Sequence, residues 1–233
     1  MTQANLFPPP AWPTVPVKGE TAGYPIRRIF CVGRNYADHA VEMGVEVDRE
    51  APFYFTKSAL SAERTGAVIP YPPGTSNFHY EMELVVAIGA PAFKADKPTA
   101  QKAIYGYACG LDMTRRDLQL AARAKQRPWD LGKDVERSAL FAPITKAAGF
   151  AAIGPQRIHL EVNGETRQDA RLGDLIWKVD EIVSHLSHYY HLEPGDLIMT
   201  GTPAGVGAVV AGDVVAGGID GLDPVTLTIG AAE

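Results

Sequence analysis

Residues 79–88 read His-Tyr-Glu-Met-Glu-Leu-Val-Val-Ala-Ile, a polar start that passes into a β-branched apolar run. This composition predicts a strand that becomes buried toward Ile88. Positions i and i+2 of a strand point to the same face, so Glu81 and Glu83 are expected to project together. Two carboxylates this close repel each other and are costly to bury unless a positive group lies between them. A hard divalent cation fits that requirement, although a polar strand face in water has the same local pattern.

A third acidic residue, Asp112, ends a predicted strand rich in small residues. Both of its sequence neighbours are apolar, so the carboxylate is expected in a mostly buried setting, where it needs a partner. Three carboxylates with room for water and substrate oxygens match Mg²⁺ or Mn²⁺ better than Zn²⁺, which prefers nitrogen and sulfur. The pattern therefore indicates one ion shared by Glu81, Glu83 and Asp112. A helix cap ahead of a predicted helix at residues 115–125 explains the position of Asp112 equally well.

The whole chain, at 233 residues, fits one domain or one domain with a small appendage. Its net charge of −5, without a long basic run, argues against a nucleic-acid partner. No apolar stretch is long enough to span a bilayer, and the start is not typical of a signal peptide, so no membrane partner is expected. Cys31 and Cys109 lie in apolar strand-like runs and predict buried free thiols, which suit a reducing cytoplasm.

Short strands and glycine-rich turns dominate the chain, and strand and helix do not alternate regularly. A doubly wound sheet or a (β/α)₈ barrel is therefore disfavoured, and a β-rich α+β domain with few short helices is predicted over residues 28–233. Residues 1–27 carry many prolines and are expected to form an extended N-terminal arm over the body, or else a flexible tail. Local signals predict a hairpin turn at Asn163-Gly164, a loop at 128–133, and helices at 35–43, 98–104, 115–125 and 180–191.

His39 and Glu42 stand three residues apart on a predicted short helix and therefore share a face. A carboxylate beside an imidazole raises its basicity and fixes its tautomer, which is how a water-activating base is made. A solvent-exposed His–Glu pair has the same spacing. Lys133 lies in the predicted loop, and by spacing alone it is typical of a solvated side chain.

The turn at residues 201–207 has the composition of an anion-cradling turn, in which backbone N–H groups take a carboxylate, and equally of a plain tight turn. It lacks the glycine spacing of a dinucleotide fingerprint. His185, His188 and His191 repeat every third residue, and each step turns about 60° backwards around a helix axis. Three such side chains cannot all face one ion, so they are expected to be partly exposed near a helix end rather than to form a second metal site.

Together these stretches resemble the fumarylacetoacetate hydrolase family across about residues 26–230. The motifs that carry the resemblance are Gly33-Arg34-Asn35-Tyr36-Ala37-Asp38-His39 with Glu42, Glu81-Met82-Glu83, Asp112, Arg116-Asp117-Leu118-Gln119, Lys133 and Gly201-Thr202-Pro203-Ala204-Gly205-Val206-Gly207. The resemblance implies a mixed β-roll-like fold, usually a homodimer, with Mg²⁺ or Mn²⁺ held by the three carboxylates. The pair Lys57-Ser58 departs from the pattern, since many relatives have Lys-Pro there.

The resemblance also implies an activity, the hydrolytic cleavage of a C–C bond in an acylpyruvate. The chain length and the proline-rich arm are similar to the branch of the family that hydrolyses 3-fumarylpyruvate to fumarate and pyruvate in gentisate degradation. His39 and Glu42 would be the water-activating pair and Lys133 an electrostatic stabiliser. Substrate contacts are implied for Arg34, Asn35, Tyr36, Arg116, Gln119, Gly201 and Thr202.

Other functions stay open at this point. An oxaloacetate decarboxylase, a tautomerase or a sugar-acid dehydratase would use the same metal and enolate chemistry without a hydrolytic water. The presence of both His39 and Glu42 favours hydrolysis, and no metal carboxylate is missing, as it would be in a non-catalytic binding protein. A fumaryl substrate carries a second carboxylate, so a positive group is expected at the far end of the site. The candidates are Arg34, Lys57, Arg64 and Arg123.

Overall fold

The structure is a computed structural model that describes residues 5–44, 49 and 51–232. Within these residues the chain forms many short strands and few helices, as predicted. The strands are β1 (Thr14–Val15), β2 (Tyr24–Pro25), β3 (Arg28–Gly33), β4 (Phe53–Lys57), β5 (Ala62–Arg64), β6 (Ala67–Tyr71), β7 (Phe78–Tyr80), β8 (Met82–Ile88), β9 (Ile104–Asp112), β10 (Thr114–Arg115), β11 (Ala139–Phe141), β12 (Thr145–Lys146), β13 (Arg157–Val162), β14 (Glu165–Arg171), β15 (Asp196–Met199), β16 (Gly207–Val209), β17 (Val214–Ile219) and β18 (Val225–Ala232). The helices are α1 (Ala37–Glu42), α2 (Lys97–Lys102), α3 (Arg116–Ala124), α4 (Asp130–Lys133) and α5 (Val179–Ser187).

Two mixed sheets make up most of the molecule. The larger has the strand order β4-β3-β15-β8-β9-β11-β5, with β12 also paired to β9. The second has the order β14-β13-β17-β18-β6. Antiparallel pairs such as β8–β9 occur beside parallel pairs such as β15–β3, so the sheets are mixed in direction. This confirms the predicted β-rich α+β class.

The stretch at 79–88 forms two strands rather than the single predicted one. β7 belongs to a small sheet with β10 and β16, whereas β8 lies between β9 and β15 in the large sheet. Glu81 is the residue between the two strands. Because β7 and β8 pair with different neighbours, the chain turns out of one sheet and into the other at Glu81.

β8 is buried on both faces. Met82, Leu84 and the other even-numbered residues join the main core between the two large sheets, while Val85 and Ala87 join a second core on the opposite face. Each fully buried aliphatic side chain of this kind stabilises the fold by about 1.5–3 kcal/mol. Glu83 shares its face with Val85 and Ala87 because side chains alternate along a strand, so it is carried inside the protein with them.

The N-terminal arm covers that second core. β1 and β2 form a two-stranded antiparallel pair, and Val15, Val17, Tyr24 and Ile26 are buried against the large sheet. Residues 13–26 thus lie over the body as an extended segment, which is the first of the two arrangements predicted for them. The division of the chain into an arm and a catalytic domain remains a prediction.

The predicted turn at Asn163-Gly164 is confirmed. Asn163 has φ 54° and Gly164 has φ 81°, the left-handed conformations that a two-residue hairpin turn needs. Cys31 and Cys109 are free and buried, as predicted. Within the described part of the chain, no helix has the length and apolar character needed to cross a membrane.

Two further predicted elements were wrong in detail. The helix predicted at 180–191 ends at Ser187, because the chain beyond it extends so that the buried Leu192 can bridge Ala92. The loop predicted at 128–133 contains the single helical turn α4, closed by a hydrogen bond from the Lys133 N–H to the Trp129 carbonyl at 2.9 Å. One turn is too short to show a helical period in the sequence.

Candidate active site

Three carboxylates meet where β7, β8 and β9 come together. Glu81, Glu83 and Asp112 each offer an oxygen within 4.8 Å of the others. They are only 4%, 2% and 0% exposed, so the pattern is not a polar strand face in water. The Asp112 N–H donates to the Glu81 carbonyl at 2.9 Å, which joins the end of β9 to the break before β8. Asp112 does not cap α3, since that helix begins at Arg116.

Three buried cations face these three carboxylates. The Lys133 ammonium lies 2.7 Å from both Glu81 Oε2 and Asp112 Oδ2. Arg116 pairs with Glu81 Oε1, and Lys57 Nζ lies 2.9 Å from Asp112 Oδ1. The set is therefore neutral as a whole, and mutual attraction offsets the large cost of removing six charges from water.

Glu83 is the carboxylate without a contacting cation among the described residues. Its Oε2 accepts the Gly201 N–H at 2.7 Å. Burial, together with the charges of Asp112 and Glu81, raises the pKa of Glu83 well above its usual range. Burial alone would also raise the pKa of Glu81, but the nearby Lys133 and Arg116 lower it. A divalent cation bound beside Glu83 would favour its charged form and so lower this pKa.

The donor set fits a hard divalent cation. A lysine ammonium has three protons, and those of Lys57 go to the Met113 carbonyl, the Lys133 carbonyl and Ser138 Oγ. Asp112 Oδ1 thus has a nearby positive charge but no hydrogen-bond donor, although it is completely buried. An unbonded carboxylate oxygen beside two more carboxylates is an all-oxygen site of the kind that suits Mg²⁺ or Mn²⁺.

His39 and Glu42 form a pair on α1, close to the carboxylates, and His39 lines the cavity beside Glu81 and Glu83. His39 Nδ1 lies 3.0 Å from Glu42 Oε2, and His39 is buried rather than exposed to solvent. Glu42 Oε1 in turn accepts the Gly205 N–H at 3.1 Å. A proton on Nδ1 shared with Glu42 leaves Nε2 free to act as a base.

Backbone N–H groups of the turn at 201–207 donate to carboxylates, and these carboxylates are side chains of the protein itself. Its Gly201 N–H bonds Glu83 and its Gly205 N–H bonds Glu42. Gly205 has φ 96°, and a Cβ at this position would lie 2.0 Å from the Arg167 carbonyl oxygen. This turn therefore holds one candidate metal ligand and the partner of His39 in fixed positions.

A single cavity brings most of the predicted site residues together. Phe55 and Trp129 form an apolar wall, and the Lys133 ammonium lies 4.9 Å from the centre of the Phe55 ring. The cavity is lined by Val32, Gly33, Arg34, His39, Met43, Phe55, Glu81, Glu83, Arg116, Gln119, Arg123, Trp129, Lys133 and Thr202.

Asn35 and Tyr36 do not line this cavity. The Asn35 amide holds the backbone of residues 177 and 200 through bonds to Trp177 N, Trp177 O and Thr200 O at 2.7, 3.0 and 2.9 Å. The Tyr36 ring lies in the main core. The substrate contacts predicted for these two residues remain predictions, and the side-chain hydrogen bonds of Asn35 hold the backbone.

The three histidines of the predicted helix 180–191 diverge. His185 Nδ1 bonds the Tyr54 hydroxyl at 3.0 Å, while the His191 ring stacks on Phe93 with centroids 3.7 Å apart. His188 is exposed at the end of α5. The partly exposed arrangement expected for them is the one observed.

Gln168 is a buried residue of the site that the sequence did not reveal. It is fully buried in β14, a strand that is otherwise polar. Its Oε1 accepts the Met82 N–H at 3.0 Å, and its Nε2 donates to Thr202 Oγ1 at 2.8 Å and to the Pro203 carbonyl at 2.7 Å. Because Thr202 Oγ1 accepts that bond, its own proton is free to be donated into the cavity.

Lys57 was also not assigned to the metal site by sequence, and only the fold places it there. Local signals mark it as the end of an aromatic strand, and its partner Asp112 is distant along the chain. No period or spacing links the two, so neither Lys57 nor Gln168 carries a sequence signal for its role.

With this geometry, the fold and the site define a member of a known enzyme family. Residues 28–230 match the family described as fumarylacetoacetate (FAA) hydrolase, C-terminal, and the chain belongs to that family. A fumarylpyruvate hydrolase of Ralstonia sp is 55% identical to the chain, over 82% of this chain and 100% of that protein. The mitochondrial oxaloacetate tautomerase FAHD1 of Arabidopsis thaliana is 40% identical, over 87% of this chain and 90% of that protein.

The solved structures agree with the family assignment. The crystal structure of fumarylpyruvate hydrolase from Pseudomonas aeruginosa in complex with Mn²⁺ and pyruvate superposes with a TM-score of 0.94. The two sequences are 44% identical, and the match covers 98% of this chain and 100% of the Pseudomonas chain. The predicted family and its β-roll-like fold are thereby confirmed.

Proposed function

We propose that this protein hydrolyses the C–C bond of an acylpyruvate, and that 3-fumarylpyruvate is its substrate. The observation that carries the proposal is the neutral cluster of six buried charges beside the His39–Glu42 pair. A divalent cation would give this cluster two positive charges, which match a substrate that has a carboxylate and develops an enolate. The 55% identical fumarylpyruvate hydrolase supports this choice of acyl group.

The residues Glu81, Glu83 and Asp112 would hold Mg²⁺ or Mn²⁺, as their donor set allows. Such an ion supplies Lewis-acid polarisation of the substrate's C1 carboxylate and C2 oxo group. The Mn²⁺ and pyruvate bound to the Pseudomonas enzyme support both the ion and the product.

His39 acts as the base in this proposal. Its Nε2 takes a proton from a water molecule while the water oxygen bonds to the C4 carbonyl carbon. The C3–C4 bond then breaks, and its electron pair remains on C3 as the enolate of pyruvate. A proton then returns to C3, so that fumarylpyruvate and water are converted to fumarate and pyruvate. Lys133 stabilises the negative charge as it develops, because its ammonium is held at the carboxylate cluster.

An oxaloacetate tautomerase or decarboxylase is the alternative, and the 40% identical FAHD1 relative favours it. These reactions need the cation and the enolate but no water attack. An ultraviolet depletion assay of the purified protein with fumarylpyruvate, acetylpyruvate and oxaloacetate, each with Mg²⁺ and with EDTA, separates the functions. We expect fumarylpyruvate to be consumed fastest, and only with the metal. If oxaloacetate is consumed far faster than both acylpyruvates, the tautomerase or decarboxylase alternative is the function.

A homodimer in the cytoplasm, working in gentisate degradation, completes the proposal. β4 is an edge strand of the large sheet, and the exposed side chains of Phe53 and Tyr190 beside it offer an apolar contact surface. The buried free thiols of Cys31 and Cys109 suit a reducing compartment. Light scattering coupled to size-exclusion chromatography tests the dimer directly.

Gln168 is expected to act through Thr202. In Gln168→Met the side chain keeps its length but loses its hydrogen bonds, so the Thr202 hydroxyl is free to turn away from the cavity. We expect the KM for the acylpyruvate to rise about 10-fold, in line with the loss of one substrate hydrogen bond. The melting temperature should also fall, since Met82 N–H and the Pro203 carbonyl lose a partner.

A double-mutant cycle distinguishes positioning from a merely structural role. In a Thr202→Val background, Gln168→Met should raise KM no further, because the hydroxyl that it orients is already gone. If the two substitutions instead multiply their effects on KM in the double variant, Gln168 does not act through Thr202.

A further inference from the structure

Two guanidinium groups on the cavity wall lack a counter-ion among the described residues. Arg34 follows β3 directly and Arg123 lies in the last turn of α3, and both line the cavity that His39, Glu81 and Glu83 also line. No ion pair within the described ranges includes either arginine. By contrast, the inner cations Lys57, Lys133 and Arg116 all contact carboxylates.

Arg34 is held toward the cavity by its surroundings. Its guanidinium lies 5.3 Å from the centre of the Phe53 ring, and its backbone has φ 56°, a left-handed conformation that is costly for arginine. The preceding Gly33 lets Phe53 approach closely, because a Cβ at Gly33 would lie 2.0 Å from that ring. A strained residue that carries a half-buried charge into a cavity indicates a binding role.

Arg123 lines the same cavity from α3. Its Nη1 donates to the Met43 carbonyl, at the end of α1, at 3.2 Å. This is the one side-chain hydrogen bond of Arg123 within the described residues, so its other guanidinium N–H groups are available. Burial and the charge of Arg123 lower the pKa of Arg34, as expected for two like charges that line one cavity without an anion. A carboxylate bound in this cavity would offset that repulsion.

We infer that Arg34 and Arg123 form a second anion subsite, which binds the carboxylate at the acyl end of a dicarboxylate substrate. The inference rests on the proposed function, in which the opposite end of the substrate lies at the triad. Guanidinium groups bind carboxylates through two parallel hydrogen bonds, and this gives direction as well as affinity. The subsite makes the enzyme prefer an acylpyruvate with an acidic tail to one with an apolar tail.

The other two candidates for this role lie elsewhere. Lys57 is buried behind the triad against Asp112, and Arg64 donates to Thr14 Oγ1 at 2.9 Å on a different surface. Of the four cations considered from sequence, the fold brings only Arg34 and Arg123 to the cavity.

The test compares kcat/KM for 3-fumarylpyruvate with that for acetylpyruvate, which lacks the distal carboxylate, using the Mn²⁺-loaded protein. Arg123→Gln and Arg34→Asn remove one guanidinium each, and asparagine is chosen because it tolerates the left-handed backbone. We expect the ratio of the two kcat/KM values to fall about 10- to 100-fold in each variant, mainly through KM for fumarylpyruvate. Arg127→Gln, the same chemical change at an exposed site outside this cavity, should leave the ratio unchanged.

The outcomes are distinct. An unchanged ratio in both variants, or an equal loss for the two substrates, would overturn the subsite while the hydrolase function stands. A wild-type enzyme that consumes neither acylpyruvate would overturn the proposed function and the subsite with it. Recovery of part of the ratio in Arg123→Lys, which keeps the charge but not the two-pronged geometry, would support the subsite.

Discussion

His39→Ala should lose about 10²- to 10⁴-fold in kcat with fumarylpyruvate, the contribution that a single positioned base typically makes. The physical reason is that His39 is a buried imidazole that lines the cavity. The Glu42 carboxylate, 3.0 Å from His39 Nδ1, sets the tautomer of this imidazole. Binding of Mn²⁺ should stay intact, because His39 is not one of the three oxygen donors. Steady-state kinetics and Mn²⁺ titration calorimetry on the same preparation measure both quantities.

Two further variants sharpen this test. Glu42→Gln retains a hydrogen-bond acceptor for His39 but removes the negative charge beside the imidazole that takes up the proton, so we expect a smaller loss of kcat than in His39→Ala. His188→Ala alters an exposed histidine at the end of α5 and should leave kcat as it is. Full turnover in His39→Ala would exclude His39 as the base.

Glu83→Gln should abolish metal-dependent activity while leaving the fold intact. Glu83 contacts no cation among the described residues, so the amide breaks no ion pair, and its oxygen can still accept the Gly201 N–H. The change removes one of three carboxylates from the candidate metal site. We expect Mn²⁺ affinity to fall by more than about 100-fold, since even groups that only orient metal ligands contribute about 10- to 100-fold.

Thermal unfolding provides a readout that does not depend on activity. Saturating Mn²⁺ should raise the melting temperature of the wild type, by mass action worth about 2.7 kcal/mol at 100 times the Kd. Glu83→Gln should melt near the metal-free wild type and gain nothing from Mn²⁺. Asp169→Asn changes an exposed surface carboxylate paired with Arg157, and this variant should keep the full rise in melting temperature with Mn²⁺. A Glu83→Gln protein that Mn²⁺ still stabilises to the same degree would remove Glu83 from the site.

Hydrolysis of an acylpyruvate and tautomerisation of oxaloacetate both need an enolate, which a metal-bound oxo acid stabilises. The inner cluster of six buried charges serves that requirement whatever the acyl group is. In the proposed subsite, the part of the cavity lined by Arg34 and Arg123 would separate the substrates. Specificity in this chain is therefore expected to depend on the outer arginines and chemistry on the inner carboxylates and His39.

The sequence by itself determined the features that arise from neighbours along the chain. The i, i+2 rule located Glu81 and Glu83, a strand end located Asp112, and the pair Asn163-Gly164 marked its hairpin. Each of these follows from strand alternation or turn chemistry, which act over a few residues. Grouping the catalytic motifs needed the resemblance to a family, since no single spacing requires them to meet.

Only the tertiary structure decided which distant groups share the buried cluster. Lys57 reaches Asp112, and Gln168 links Met82 to Thr202, through pairings between strands far apart in the chain. The break at Glu81 arises because β7 and β8 join different sheets, an outcome of strand order that local propensity does not encode. Burial makes the difference: a lysine or glutamine is typical of the surface by composition, and it becomes part of a site only where the fold removes water and supplies partners.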